Sequence, residues 1–250
     1  MDDRTPSGTR VVHLAEIGST NAEAMRLAAA GEQGPLWVAA DVQTGGKGRS
    51  GRVWVSRPGN FFASYMLQTA APIAAAHQLS PVAGVAVFDA LAACGLTRGQ
   101  GLRLKWPNDI LIGRAKAGGI LVESSTLPGR RELTAVVGIG INLASHPDIA
   151  GRDVTSLAAQ GVVIVPVAAL VALDTALSAA LTLWDESRGF AAVRSAWLER
   201  CGPAGERLTV QLPQGDITGA FVGLDPDGAL LVEIEGGEVR RCTYGDVTIA

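Results

Sequence analysis

Residues 45–54 read GGKGRSGRVW, and this stretch restricts the fold more than any other part of the chain. Four glycines and three cations, Lys47, Arg49 and Arg52, fall within residues 45–52. Gly46, Gly48 and Gly51 satisfy the spacing G-x-G-x-x-G, which cradles a pyrophosphate only where it follows a strand and opens a helix. A largely apolar, strand-like run does precede it, LWVAADV at 36–42. Beyond it stand RVWVS at 52–56, Pro58-Gly59 and FFASYML at 61–67, which are strand residues and not a helix. No acid stands about twenty residues on, where a dinucleotide fold needs one for the ribose. The pattern G-x-x-x-x-G-K-[ST] is absent as well. Both nucleotide-binding turns that lead into a helix are excluded, so the stretch is a glycine-rich loop between strands.

Glycine lets the backbone take positive φ and approach a ligand closely. Successive N–H groups in such a turn form an anion-binding nest. Charged donors add hydrogen bonds of roughly 1.5–3 kcal/mol each to phosphate or carboxylate. No Asp or Glu occurs between Asp41 and Asp89, so the loop's charge is not neutralised locally. The loop reads as a cover that closes over an anionic small molecule. Taken alone, it reads more readily as a solvated basic turn.

Composition narrows the function classes. A chain of 250 residues holds one large domain, or one with a small appendage. With 48% hydrophobic and 18% charged residues it has the make-up of a soluble globular protein, its apolar share owing much to alanine. No uninterrupted apolar run of about 18 residues is present, and MDDRTPSGTR has no signal-peptide core. A cytoplasmic protein without a membrane role is expected. Cys94, Cys201 and Cys242, like His13, His77 and His146, are scattered, which gives no disulfide scaffold and no metal site. The net charge of −3 speaks against a broad nucleic-acid-binding face.

Along the chain, residues 11–14 form a first strand, and a helix over 21–30 ends at Gly31. Thr20 with Glu23 reads as a capping box, and Ser19 and Thr20 sit at a helix start where an anion or a ureido-like group can also be held. Ser80-Pro81 opens a second helix, with Ser as N-cap and Pro at N1. In LRLKWPND at 102–109, Leu102 and Leu104 alternate with Arg103 and Lys105, a half-buried strand that Pro107 ends, with Asn108-Asp109 as a turn. Lys105 is either a surface lysine beside a core Trp106 or a compact charge aimed into the mouth of the sheet. Residues 110–112 and 120–123 continue as strands. Residues 133–143 are a buried strand whose Gly138 and Gly140 permit close approach, and whose Asn142 needs hydrogen-bond partners that backbone can supply. Two helices, over 167–184 and 189–201, come next. After Gly202-Pro203, short alternating strands at 208–212, 217–224, 230–234 and 239–243 read as a small all-β barrel.

Five of these stretches, in order, carry a resemblance. They are STN at 19–21, Q-x-x-G-x-G-R-x-G-R-x-W at 43–54, KWPND at 105–109, K-x-x-G-I-L-x-E at 116–123 and G-x-G-I-N at 138–142. Over nearly its whole length the chain resembles the biotin protein ligases. The family's loop usually reads GRGR. Here Lys47 replaces the first arginine, keeping the charge and losing the planar fork. Only about ten residues precede the first strand, too few for a helix-turn-helix, so the resemblance is to the monofunctional form with no DNA partner.

The resemblance implies an α+β fold: a mixed central β-sheet flanked by helices over residues 1–203, then a small SH3-like β-barrel over 204–250. It implies that the biotin carboxylate attacks the α-phosphorus of ATP, giving biotinyl-5′-adenylate and pyrophosphate. A lysine of the biotin carboxyl carrier domain of a carboxylase then displaces AMP. Such a site must neutralise and align two anions more than supply a base. By resemblance, Ser19, Thr20, Asn21 and Gln43 bind biotin with the backbone of Lys47, Gly48 and Arg49, and Gly118 and Gly119 leave room for its ring. Lys105 bridges the carboxylate and the α-phosphate. Arg49 and Arg52 hold phosphates as the loop closes and excludes water. Trp54 lies against adenine with Asn108 and Asn142 nearby, and Mg²⁺ covers the ATP phosphates without a protein metal site. The barrel is expected to help with ATP or carrier docking, and an edge strand of the sheet offers a homodimer surface. Two rivals stay open: a lipoate or octanoate ligase or transferase, and a non-catalytic biotin or nucleotide sensor. KWPND and the loop argue against the first, Lys105 and the loop cations against the second.

Overall fold

In the computed structural model, which describes residues 4–96, 98–126 and 132–249, the chain begins with a crossover of two parallel strands. β1 (Arg10–Ile17) leads through α1 (Thr20–Ala29) to β2 (Leu36–Gln43). Parallel neighbours need such a crossover, and a helix supplies it. β2 is apolar throughout its first five residues because both its faces are covered. Leu36 and Val38 pack with Ala24 and Ala28 of α1, while Trp37 and Ala39 point into the larger core on the opposite face.

β3 (Phe61–Thr69), α2 (Leu79–Ala93), β4 (Leu102–Lys105), β5 (Asp109–Ile112), β6 (Ala115–Thr126) and β7 (Leu133–Ile141) complete the sheet. Its order is β1-β2-β3-β7-β6-β5-β4, antiparallel everywhere except at β1-β2. α2, α3 (Pro166–Trp184) and α4 (Phe190–Arg200) cover one face through the main core. α1 covers only part of the other face, and the remainder opens into a cleft. α3 is long and apolar enough to cross a membrane by length and composition. In this fold it packs on α2 and α4 through Leu173, Leu177 and Trp184. Its one acid, Asp174, is buried and accepts a hydrogen bond from Trp37 Nε1 at 2.9 Å.

The C-terminal unit is an antiparallel sheet of β8 (Arg207–Gln211), β9 (Ile217–Leu224), β10 (Leu230–Glu233), β11 (Val239–Cys242) and β12 (Asp246–Ile249), in the order β11-β10-β9-β8-β12. It has the expected all-β character, as an open sheet and not a closed barrel. It is fastened to the larger unit by Arg103–Glu206 at 2.6 Å, Trp106 Nε1 donating to Gly228 O at 3.1 Å and Arg194 Nε donating to Leu224 O at 2.8 Å.

Four local expectations are corrected. Ser19, not Thr20, caps α1, its Oγ accepting from Ala22 N at 3.4 Å, while Glu23 pairs with Arg26 at 2.7 Å. Thr20 is not free to cap, because its hydroxyl is drawn to Gln43. α2 grows out of a 3₁₀ turn, Ile73–Gln78, and Ser80 donates to Pro107 O at 2.8 Å instead of capping. Residues 52–56 form no strand: only Val53 bridges, to Lys47, as the glycine loop folds back on itself. β12 was not anticipated, and it proves to border the cleft.

Candidate active site

The cleft exists because β6 and β7 carry glycine on the face that α1 leaves open. Gly119 and Gly140 are cross-strand partners, and Gly138 pairs with Leu121. A Cβ on Gly140 would stand 2.7 Å from the Trp54 ring, and one on Gly119 would meet Trp54 and Lys116 at 3.4 Å. On Gly138 it would overlap the Asn21 amide. With these side chains missing, Trp54 and Asn21 lie down on the strands, and a cleft of ≈ 490 Å³ remains. Of the anticipated residues, Ser19, Thr20, Asn21, Gln43, Lys47, Gly48, Arg49, Arg52, Trp54, Lys105, Asn108, Gly119 and Asn142 line it. Gly118 does not. It alternates to the opposite face of β6, where a Cβ would meet Gly140 O at 2.9 Å and Ile110 at 3.4 Å, so its small size serves packing.

One end is a row of uncharged polar groups. Thr20 N donates to Gln43 Oε1 at 2.9 Å, and the Thr20 hydroxyl donates to the same oxygen at 3.1 Å. Ser64 Oγ lies 2.7 Å from Thr20 Oγ1 and 2.6 Å from Asn21 Oδ1. Asn21 Nδ2 donates to Leu121 O at 3.2 Å and to Glu123 Oε2 at 2.7 Å. Ser64 was missed by sequence reasoning. The one signal for it was a hydroxyl within the apolar run FFASYML at 61–67, and the fold buries it fully on the α1-facing side of β3.

The other end is charged. Asp109 sits between two ammonium groups: Lys105 Nζ is 2.8 Å from Oδ2, and Lys116 pairs with Oδ1. Burial pushes the Asp109 carboxyl up, but Lys116 and Lys105 outweigh it through their charges and hydrogen bonds and hold it below the ordinary carboxylate range. Lys105 also donates to Val247 O of β12 at 2.8 Å, whereas Lys116 lies 5.7 Å from the Trp54 ring centroid, within cation–π range. In the sequence Lys116 stood out only as the head of its motif. The pairing that makes it a site residue comes from the β5–β6 register, which sets Lys116 against Leu111 and Gly119 against Asp109.

The glycine loop reaches across to the C-terminal unit. Arg49 donates to Asn108 Oδ1 at 3.3 Å and to Gly245 O at 2.9 Å, and its Nη1 is 3.8 Å from Asp246 Oδ1. Arg52 donates to Asp246 Oδ1 at 2.6 Å. Burial pulls the Arg49 guanidinium down from its ordinary value, Asp246 opposing this. Within the loop Gly48 N donates to Arg52 O at 2.7 Å, and Ser50 takes a left-handed φ of 56°. The amides of Asn108 and Asn142 are tied to backbone, donating to Ile120 O at 2.6 Å and Thr155 O at 3.0 Å. Trp54 Nε1 is buried against Gly140 with no acceptor among the described residues. The lining carries seven Lys or Arg side chains against three Asp, in a chain of net charge −3, which concentrates positive potential in the cleft.

Fold and cleft together define the class. Residues 16–142 match the Biotin/lipoate A/B protein ligase family, and residues 204–249 match the Biotin protein ligase C terminal domain. The chain belongs to that family, and within it to the biotin protein ligases. It is 40% identical over 233 residues to a biotin–[acetyl-CoA-carboxylase] ligase of Paracoccus denitrificans, covering 90% of this chain and 94% of that protein. It is 30% identical over 246 residues to the bifunctional ligase/repressor BirA of Escherichia coli, covering 97% of this chain and 74% of that one. The fold is similar to that of the biotin protein ligase from Aquifex aeolicus in complex with biotin and ATP, with a TM-score of 0.78, 26% identity and coverage of 96% and 99% of the two chains.

Proposed function

We propose that this chain is an ATP-dependent biotin–protein ligase that forms biotinyl-5′-adenylate and transfers biotin to a lysine of a biotin carboxyl carrier domain. The carrying observation is the cleft's charged end, where two lysines share one carboxylate beside two loop arginines. Adenylation brings two anions together. A biotin carboxylate oxygen bonds to the α-phosphorus, the bond from that phosphorus to its bridging oxygen breaks, and the electron pair leaves with pyrophosphate. Each lysine retains donors beyond those given to Asp109, and Lys116, free of the Val247 contact, has more of them facing the cleft. We assign Lys105 and Lys116 jointly to the carboxylate and α-phosphate, and Arg49 and Arg52 to the remaining phosphates. In the second step the carrier lysine amine attacks the acyl carbon, AMP leaves with the C–O electron pair, and the amine loses its proton.

The polar row of Thr20, Asn21, Gln43 and Ser64, with Ser19 and the backbone of Lys47, Gly48 and Arg49, receives the biotin head group. Trp54, with Asn108 and Asn142 near it, receives adenine. Among the described residues no group of three His, Cys, Asp or Glu side chains comes together to hold a metal, and Asp109 and Asp246 are engaged by cations. Mg²⁺ therefore belongs with the substrate, on the ATP phosphates. In the same reading the catalytic unit runs to residue 203 and the C-terminal unit from 204, the reaction takes place in the cytoplasm with no DNA or membrane partner, and self-pairing uses β1, a reading supported by its outer edge, which carries only the Arg4–Arg10 bridge among the described residues.

Exchange of labelled pyrophosphate into ATP tests the reading, with biotin, lipoate, octanoate or no acid added. Biotin-dependent exchange is the expected result. Exchange only with lipoate or octanoate reassigns the substrate, and no exchange with any acid removes the enzymatic reading. Gly140→Ala tests the adenine assignment. Its methyl displaces the Trp54 ring, an overpacking of about 1–3 kcal/mol, so the KM for ATP rises roughly tenfold or more while circular dichroism stays that of the parent.

A further inference from the structure

Glu123 closes the motif at 116–123, yet it touches neither the charged end of the cleft nor the loop. On β6 it alternates with Gly119 and Leu121 and so faces α1. Its carboxylate accepts from Asn21 Nδ2 at 2.7 Å, and Leu121 O accepts the second amide proton at 3.2 Å. With both protons taken on that side, Asn21 presents its oxygen, and only its oxygen, to Ser64. At the other end of the row Gln43 Oε1 is likewise fixed as an acceptor by Thr20 N.

The row therefore runs Gln43 Oε1, Thr20 Oγ1, Ser64 Oγ, Asn21 Oδ1, with gaps of 3.1, 2.7 and 2.6 Å. Three gaps need three protons, and two hydroxyls supply two. One gap is left as lone pair against lone pair. Asn21 is 5% exposed and Ser64 is fully buried, so water does little to relieve it. A row one proton short is complementary to a ligand that brings N–H donors. A cyclic urea brings two, and the dithiolane of lipoate or the alkyl chain of octanoate brings none.

We propose that Glu123 is a positioning residue for acid selection: by locking the Asn21 amide it keeps this row donor-poor, and the row then selects a head group that carries N–H. The proposal rests on the ligase reading and deepens it. Without Glu123 the Asn21 amide can turn over, donate to Ser64 and supply the missing proton from the protein itself.

Glu123→Ala and Glu123→Gln are compared with the parent by pyrophosphate exchange, using biotin, desthiobiotin (which keeps the urea) and lipoate. A glutamine can still accept from Asn21 Nδ2, so it is the conservative rescue. The expected result is a rise of about tenfold in KM for biotin and desthiobiotin in Glu123→Ala, with kcat and the KM for ATP within about twofold, and near-parental values in Glu123→Gln. An unchanged KM for biotin in Glu123→Ala overturns the proposal. Equal losses in both variants, or a KM for ATP that moves in parallel, also overturn it, since these mark a structural role alone. Failure of the ligase reading shows separately, as a parent protein with no biotin-dependent exchange.

Discussion

Lys116→Ala lowers biotin-dependent pyrophosphate exchange by about 10²–10³-fold and leaves the fold intact, the loss typical of removing one preorganised charge from a reaction that develops charge. The Asp109 side chain is only 13% exposed, and stripping a largely buried carboxylate of its only partner destabilises strongly. Here it keeps Lys105 at 2.8 Å, so Lys116→Ala separates catalysis from stability. Lys105→Ala loses exchange as well, but it also frees Val247 O of β12 and lowers the melting temperature. Exchange and thermal melts on both variants distinguish the two lysines. Exchange in Lys116→Ala within about tenfold of the parent would leave Lys105 alone in the role.

The two lysines also mark where the sequence could and could not be read. Lys105 stood at a strand end ahead of Pro107, an ending that local rules identify. Lys116 joined it through strand pairing across β5 and β6, a register that periodicity along one strand does not contain. The sheet itself was legible because apolar alternation and glycine breaks mark strand ends, and because LWVAADV could be apolar at length only with both faces covered. Residues 52–56 show the limit of reading strands from residue type: RVWVS is built of strand-forming residues, but Trp54 is held by the bare glycines of β6 and β7 and not by a neighbouring strand. Thr20 shows another, since a tertiary acceptor, Gln43, overrode the local capping pattern. β12 escaped notice as four residues at the chain's end, and its placement beside the cleft depends on pairing with β8.

That last strand brings the C-terminal unit to the wall of the cleft, and Arg49→Gly exposes the consequence. The adenylate is a mixed anhydride open to water and to any amine, so its fate depends on how long the cleft stays closed. Arg49 ties the loop to Asn108, Gly245 O and Asp246, and Arg52 ties it to Asp246 again. The loop's glycines give it little stiffness of its own, so these contacts set its closed lifetime. Removing Arg49 deletes at least one charge-assisted hydrogen bond of roughly 1.5–3 kcal/mol, which corresponds to a rise of about 10–100-fold in adenylate escape. Labelling in a mixture of carrier domain and serum albumin then shifts from the carrier alone to both. Asp246→Ala, which touches the loop only from β12, gives the same shift in a smaller degree while biotin-dependent exchange persists. If Arg49→Gly still labels only the carrier, retention resides in the cleft walls. If Arg49→Gly leaks and Asp246→Ala does not, Arg49 acts through the bound phosphates and the latch to the C-terminal unit is incidental.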